Sequence, residues 1–232
     1  RQQNPPETVD CLEKIDTSSK FLLGLVNEIL DMSKAESGKL ELHPEPYYME
    51  DFKSYIDAVI RPLCDGKNQT LTVETHILGT FVPKMDILRM NQIYFNLLSN
   101  AVKFTPEGGE IRLTVSERQI AADQLRITVS VRDNGIGMSD AFQKVLFDPF
   151  SQEHRSDNSE MRGTGLGLAI VKKIIDAMHG TISVKSKIGE GTEFVFEVDC
   201  AYLEEKNEGH PIRTEEPGDP LQALRGKHIL LC

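Results

Sequence analysis

Asn96 and Asn100 stand four residues apart in Asn96-Leu97-Leu98-Ser99-Asn100-Ala101-Val102-Lys103, and Lys103 follows three residues later. On a helix those spacings place all three on one stripe. Two neutral amides and one ammonium make poor core but a good surface for a polyanion. A carboxamide oxygen can ligate Mg²⁺, a hard cation that takes oxygen donors and keeps several waters. A lysine adds a point charge for phosphate. A plain solvated helix face would read the same way. A second cluster, Asp133-Asn134-Gly135-Ile136-Gly137-Met138, closes a run of strand-like alternation. Glycines there let backbone approach a ligand closely, and the carboxylate can accept a hydrogen bond from an exocyclic amine. An ordinary Asp-Asn-Gly turn is the plainer alternative.

A third cluster, Gly163-Thr164-Gly165-Leu166-Gly167-Leu168, opens a helix. It frees backbone N–H groups at a helix N-terminus, where the dipole favours an anion. It is neither the Gly-x-x-x-x-Gly-Lys-Ser/Thr phosphate loop nor the dinucleotide fingerprint, since no strand closely precedes it. Between the second and third clusters lie Phe147-Asp148-Pro149-Phe150 and then an almost purely polar run, 151–162. That run reads as a lid ending in glycine hinges, with Arg155 and Arg162 able to reach a phosphate, or as a surface loop without a role.

The elements that must hold these residues follow from periodicity. Leu12, Ile15, Ser19, Leu22, Val26 and Ile29 recur at three- and four-residue steps, which predicts a long helix from about Thr8 to Leu42 with a heptad seam broken once by Ser19. Leu23 and Leu30 widen the seam. Such a face packs on other helices, either on a domain core or as one half of a helical hairpin in a bundle. Helices are also expected over Asp51–Leu63, Asp86–Phe104 and Thr164–His179, and strands over Leu71–His76, around Ile111–Val115 and Leu125–Val131, and over Thr181–Ser186 and Thr192–Val198. Strands with one polar face predict an α+β fold: a two-layer α/β sandwich, a mixed sheet covered on one face by helices.

The chain has 232 residues and a formal net charge of −10. The acidic balance argues against nucleic acid as the main partner, because a phosphate backbone needs a basic surface. No apolar run approaches the ~18 residues of a membrane span, and the start Arg1-Gln2-Gln3-Asn4-Pro5-Pro6 is no signal peptide. Because it begins without Met, the chain is read as a piece of something longer. Cys11, Cys64, Cys200 and Cys232 form no Cys-x-x-Cys pair, which supports neither a zinc site nor a disulfide framework and fits a reducing cytoplasm. Four stretches result: a helical stretch over residues 1–46, an α/β domain over 47–202, a linker over 203–220, and the start of a further domain over 221–232.

In order and spacing together, Asn-x-x-x-Asn-Ala-x-Lys-Phe, Asp-x-Gly-x-Gly, Phe-Asp-Pro-Phe and Gly-x-Gly-x-Gly-Leu resemble the ATP-binding domain of sensor histidine kinases, within the wider GHKL (Bergerat-type) ATPase superfamily. The resemblance covers roughly Glu50 to Cys200. Residues 27–39 look like the second helix of that family's dimerisation domain, and residues 227–232 like the first strand of a receiver. A hybrid kinase, cut to its middle, is implied. So are ATP and Mg²⁺ as ligands, a homodimer through the helical bundle in the parent, and a receiver domain or response regulator as partner. The parent would be membrane-anchored, with this piece cytoplasmic. The resemblance makes Asn100 the Mg²⁺ ligand, with Asn96 supporting phosphate and metal and Lys103 contacting the phosphates. Asp133 would bind the adenine amino group, Gly135 and Gly137 would shape the purine pocket, and Phe104 would pack on the base. Gly163, Thr164, Gly165, Leu166 and Gly167 would line the triphosphate, with Arg162 nearby and Phe147 and Phe150 anchoring the lid.

One departure matters. The family's acceptor is a His followed by an acidic residue and an Arg-Thr-Pro run, and none of His43, His76, His154, His179, His210 or His228 has that context. No catalytic nucleophile is therefore assigned, and autophosphorylation of this chain alone is not expected. Two other functions remain open. One is an ATP hydrolase of the same superfamily, whose members resemble one another in placing Glu where this chain has Asn96. An amide cannot act as the general base for water. The other is a nucleotide-sensing or dimerisation module without catalysis.

Overall fold

The computed structural model describes residues 11, 15, 19, 22, 26, 29–30, 32–33, 37, 40–78, 81–153 and 164–204. The N-terminal seam is helical at every described position from Cys11 to Ser33. Ser37 lies in a turn, and Leu40 to Pro44 are not helical, so the helix does not reach Leu42 as the periodicity predicts.

Glu45–Pro46 forms a short strand, β1. A helical run follows, from α1 (Met49–Tyr55) through a π turn (Ile56–Ile60) to α2 (Arg61–Asp65). It is longer at both ends than the Asp51–Leu63 expectation. The π turn has a cause in the sequence. Pro62 has no N–H to offer the Ala58 carbonyl, and widening the preceding turn accommodates that loss. The remaining elements are β2 (Thr70–His76), β3 (Phe81–Met85), α3 (Ile87–Phe104), β4 (Glu110–Ala121), β5 (Gln124–Asp133), α4 (Asp140–Gln143), α5 (Gly167–Ala177), β6 (Thr181–Lys187) and β7 (Gly191–Glu204). The helix expected over Thr164–His179 is shorter, because Thr164 to Leu166 lie in the glycine loop. β7 continues two residues past the expected start of the linker.

The sheet order is β1-β3-β7-β5-β4-β2, with β6 also paired to β7. β2 and β4 are parallel and the other pairings antiparallel, which makes the mixed sheet that the sequence predicts. Alternation assigns its two faces. Ile111, Leu113, Val115, Ile127, Val129, Val131, Phe194 and Phe196 are buried against the helices. The opposite face carries cross-strand polar pairs, among them Arg126–Asp199 at 2.7 Å and Thr128–Glu197 at 3.0 Å. On the helix side, α3 and α5 pack together and bury Met90, Ile93, Tyr94, Leu97, Leu98, Ile170, Val171, Ile174 and Ile175. Each such side chain contributes about 1.5–3 kcal/mol by leaving water.

Candidate functional site

α3 is the backbone of the site, and both its ends are fixed. At the start, Asp86 Oδ1 accepts from the Arg89 N–H at 3.0 Å, a side-chain N-cap. Its Oδ2 accepts from the His43 N–H at 3.0 Å. At the far end, Lys67 Nζ donates to the Val102, Lys103 and Thr105 carbonyls. Buried Gln69 Nε2 donates to Val102 and Thr105. A cation and an amide thus satisfy the terminal carbonyls, where the helix dipole favours positive charge.

With the apolar face of α3 in the core, Asn96, Asn100 and Lys103 flank it, each half-buried. The Asn96 Nδ2 donates to the Gln92 carbonyl at 2.9 Å. That leaves Oδ1 pointing at α5, where a Cβ added to Gly167 would stand 2.5 Å from it. The Asn100 carboxamide has no hydrogen-bond partner among the described residues. Lys103 Nζ lies 5.0 Å from the centre of the half-exposed Phe104 ring, and partial burial lowers its pKa from the usual lysine value.

The second cluster meets the end of α3 directly. The Ile136 N–H donates to the Phe104 carbonyl at 3.2 Å, and a Cβ on Gly135 would lie 2.5 Å from that same oxygen. Gly137 has φ +63° and sits so close to the β6–β7 hairpin that a Cβ would come within 1.9 Å of the Lys187 carbonyl. Asp133 closes β5 and is buried. Its Oδ1 accepts from the Gly135 N–H at 2.8 Å. Burial raises its pKa above the usual value, opposed by backbone hydrogen bonds from Gly135 and Thr192.

Of the third cluster, Thr164 to Leu168 are described. The Leu166 N–H donates to Thr164 Oγ1 at 3.1 Å, and the Phe150 N–H donates to the Gly165 carbonyl at 2.9 Å. Phe147 packs partly on the core. Phe150 is 67% exposed with φ +64°, and its backbone N–H ties it to the glycine loop. Arg155, Arg162 and Gly163 lie outside the described residues.

Three contributors were not singled out from the sequence. Thr192 gives its backbone N–H to Asp133 and its hydroxyl pairs with Ser186 at 2.9 Å. The signal was present in Gly189-Glu190-Gly191-Thr192, which reads only as a turn. Lys67 and Gln69 act on the end of a helix more than thirty residues away, and no local pattern announces them.

A family profile described as histidine kinase-, DNA gyrase B-, and HSP90-like ATPase matches residues 85–201. The chain belongs to that family, and what it carries is the ATP-binding catalytic domain of sensor histidine kinases. Autoinducer 2 sensor kinase/phosphatase LuxQ of Vibrio parahaemolyticus is 40% identical over 190 residues, which are 82% of this chain and 22% of LuxQ. Sensor histidine kinase GacS of Pseudomonas protegens is 36% identical over 220 residues, 95% of this chain and 23% of GacS. The chain therefore spans less than a quarter of the length of these relatives. Among solved structures, full-length ShkA in complex with AMPPNP superposes with a TM-score of 0.72 at 28% identity, over 88% of this chain and 41% of that one.

Proposed function

We propose that this site binds ATP with Mg²⁺ and presents the γ-phosphoryl to a histidine on a dimerisation helix, for relay to a receiver aspartate. The observation that carries the reading is the convergence of three separate motifs. The Asp133 loop is bonded to the end of α3 at Phe104, and the glycine-opened start of α5 rests on Asn96.

The residues divide the work by chemistry. Asp133 accepts a hydrogen bond from the adenine amino group, and Gly135 and Gly137 keep side chains out of the purine pocket. Phe104 packs on the base. Lys103 and the N–H groups that open α5 meet the phosphates. The donor set fits Mg²⁺ of the phosphate-bridging kind. No group of three or more acidic, His or Cys ligands exists among the described residues, whereas Asn100 offers one unengaged carboxamide oxygen and Asn96 stands beside it. When bound, the ion neutralises charge on the phosphate oxygens. Phosphoryl transfer needs mainly positioning and charge, which amides, glycines and a cation supply.

Asn96 is an amide where a hydrolase needs a base for water, and this favours transfer over hydrolysis. The acceptor is a residue outside this chain. Homodimerisation through the N-terminal seam, a receiver beyond the 203–220 linker and a membrane-anchored, cytoplasm-facing parent belong to the same proposal. Among the described residues no helix is long and apolar enough to cross a membrane. Calorimetric titration of ATP and ADP, with and without Mg²⁺, is the test. Mg²⁺-linked ATP binding that Asp133→Asn weakens and Asn100→Ala uncouples from Mg²⁺ is expected. Absence of binding under every condition would overturn it in favour of the non-catalytic module.

A further inference from the structure

On the other side of α3 lies a cleft of about 250 Å³ that shares no residue with the nucleotide site. Tyr47, Tyr48, Phe52 and Phe81 are among its lining residues, with Glu117 and Lys53 among its polar lining groups. Glu117 is out of place by pattern. Ile111, Leu113 and Val115 set the inward face of β4, and the next position on that face is a carboxylate, opposite buried Ile127. An acid on an apolar face needs compensation. It receives one long hydrogen bond, from the Leu78 N–H at 3.3 Å. No Lys or Arg pairs with it among the described residues. Burial raises its pKa, which is the signature of an under-solvated carboxylate.

We propose that this cleft is a binding site for a small organic monocation, an ammonium carried on an aromatic or short aliphatic body. The charged groups lining the cleft are Glu50, Lys53 and Glu117, a net negative set. Glu50 and Lys53 are exposed, so their charges are screened, whereas Glu117 is half-buried. Aromatic side chains and a carboxylate lining one cleft attract a cation through both the ring quadrupole and the charge. The volume lies below the range of drug-sized pockets and suits a ligand of roughly 10–15 non-hydrogen atoms. The cleft is also lined by Tyr47 and Tyr48, from the segment between the N-terminal helix and α1. The Tyr47 N–H is bonded to the Pro83 carbonyl at 2.9 Å and its hydroxyl to Asn91 of α3 at 2.9 Å.

Benzylamine and its neutral counterpart benzyl alcohol, titrated into the ¹⁵N-labelled chain by NMR, test this. Benzylammonium is expected to move the amide signals of Tyr47–Lys53, Phe81 and Glu117, and to bind about tenfold more tightly than the alcohol. Glu117→Gln should remove that preference and leave ATP binding unchanged. Equal affinity of the two probes would overturn the cation assignment, as would an amine preference that survives in Glu117→Gln. No shift at these residues up to about 10 mM, a Kd weaker than any specific small-ligand site, would overturn the site itself. If Glu117→Gln does not fold, Tyr48→Ala replaces it, and loss of aromatic wall must then weaken the amine at least as much as the alcohol.

Discussion

The α-carbon of Gly191 is so close to Asp133 that a Cβ on it would lie 2.0 Å from the Asp133 carbonyl oxygen. The turn that opens β7 thereby packs directly beneath Asp133, the acid proposed to bind the adenine amino group. Gly191 also has φ +96°, outside the range that L side chains adopt readily. Gly191→Ala therefore meets strain and a backbone collision together. It should cost at least about 2–3 kcal/mol. Gly189 is the control: its φ is +80°, yet a Cβ there meets nothing within 4 Å. Gly189→Ala should cost only the backbone term, about 1 kcal/mol. Urea midpoints of the two variants separate these values, and equal losses would show that φ alone sets the requirement.

Asp133 links pH to both stability and binding, with opposite signs. Burial sets its folded pKa above the unfolded value of 3.8. Its favourable contribution to the fold is fully present below that value and is lost as pH rises through the folded pKa. The ionised form is the stronger acceptor for an adenine amine, because the hydrogen bond is then charge-assisted. Nucleotide affinity should therefore fall as pH is lowered through the folded pKa, while this group's stability term improves. Calorimetry across pH 4–7 should show the decline for the wild-type chain and a flat profile for Asp133→Asn.

The C-terminus of α3 depends on a residue remote in sequence. Lys67 Nζ reaches three carbonyls there, the shortest contact being 2.8 Å to Val102. Lys67→Ala leaves Gln69 in place but strips the cation from the negative end of the helix dipole. A loss of about 1–2 kcal/mol is expected by chemical denaturation. Because Phe104 and Lys103 sit at that end, ATP affinity should fall with it. An affinity unchanged despite the stability loss would show that the site is held from the Asp133 loop instead.

The parts of this molecule legible in the sequence are those with local causes. The alternation of β4, β5 and β7 gave the one-sided sheet, and Asp86 followed by apolar residues at three- and four-residue steps gave α3 to within a residue. β3 was not legible, because Pro83 lies inside it and proline argues against a strand. It forms because β7 supplies one edge and the short β1 the other. α4 is a single turn capped by Ser139, too short to show a period. At the candidate site, the three motifs stood out by their spacing, and the structure brings them together. Thr192 and Lys67 did not stand out, since their roles exist only once distant segments meet. The tie between Phe150 and Gly165 was not legible either, because it is a backbone hydrogen bond between segments fifteen residues apart.

The N-terminal seam carries the last prediction. Ile15, Leu22, Val26, Ile29 and Leu30 are each more than half exposed, at 61, 60, 52, 52 and 52%. Aliphatic side chains left in water along one helix face each stand to contribute about 1.5–3 kcal/mol on burial. The heptad spacing offers them a way to do so against another helix. The chain should therefore self-associate, with an average mass in light scattering that rises with concentration. Leu22→Glu with Ile29→Glu places charge at two seam positions one heptad apart and should shift the mass to that of the monomer. Neither residue approaches the nucleotide site in sequence or sheet, so ATP affinity should be unchanged in the double variant. A wild-type chain that stays monomeric at millimolar concentration would count against the bundle reading and leave the seam as the face of a helix that packs on some other domain.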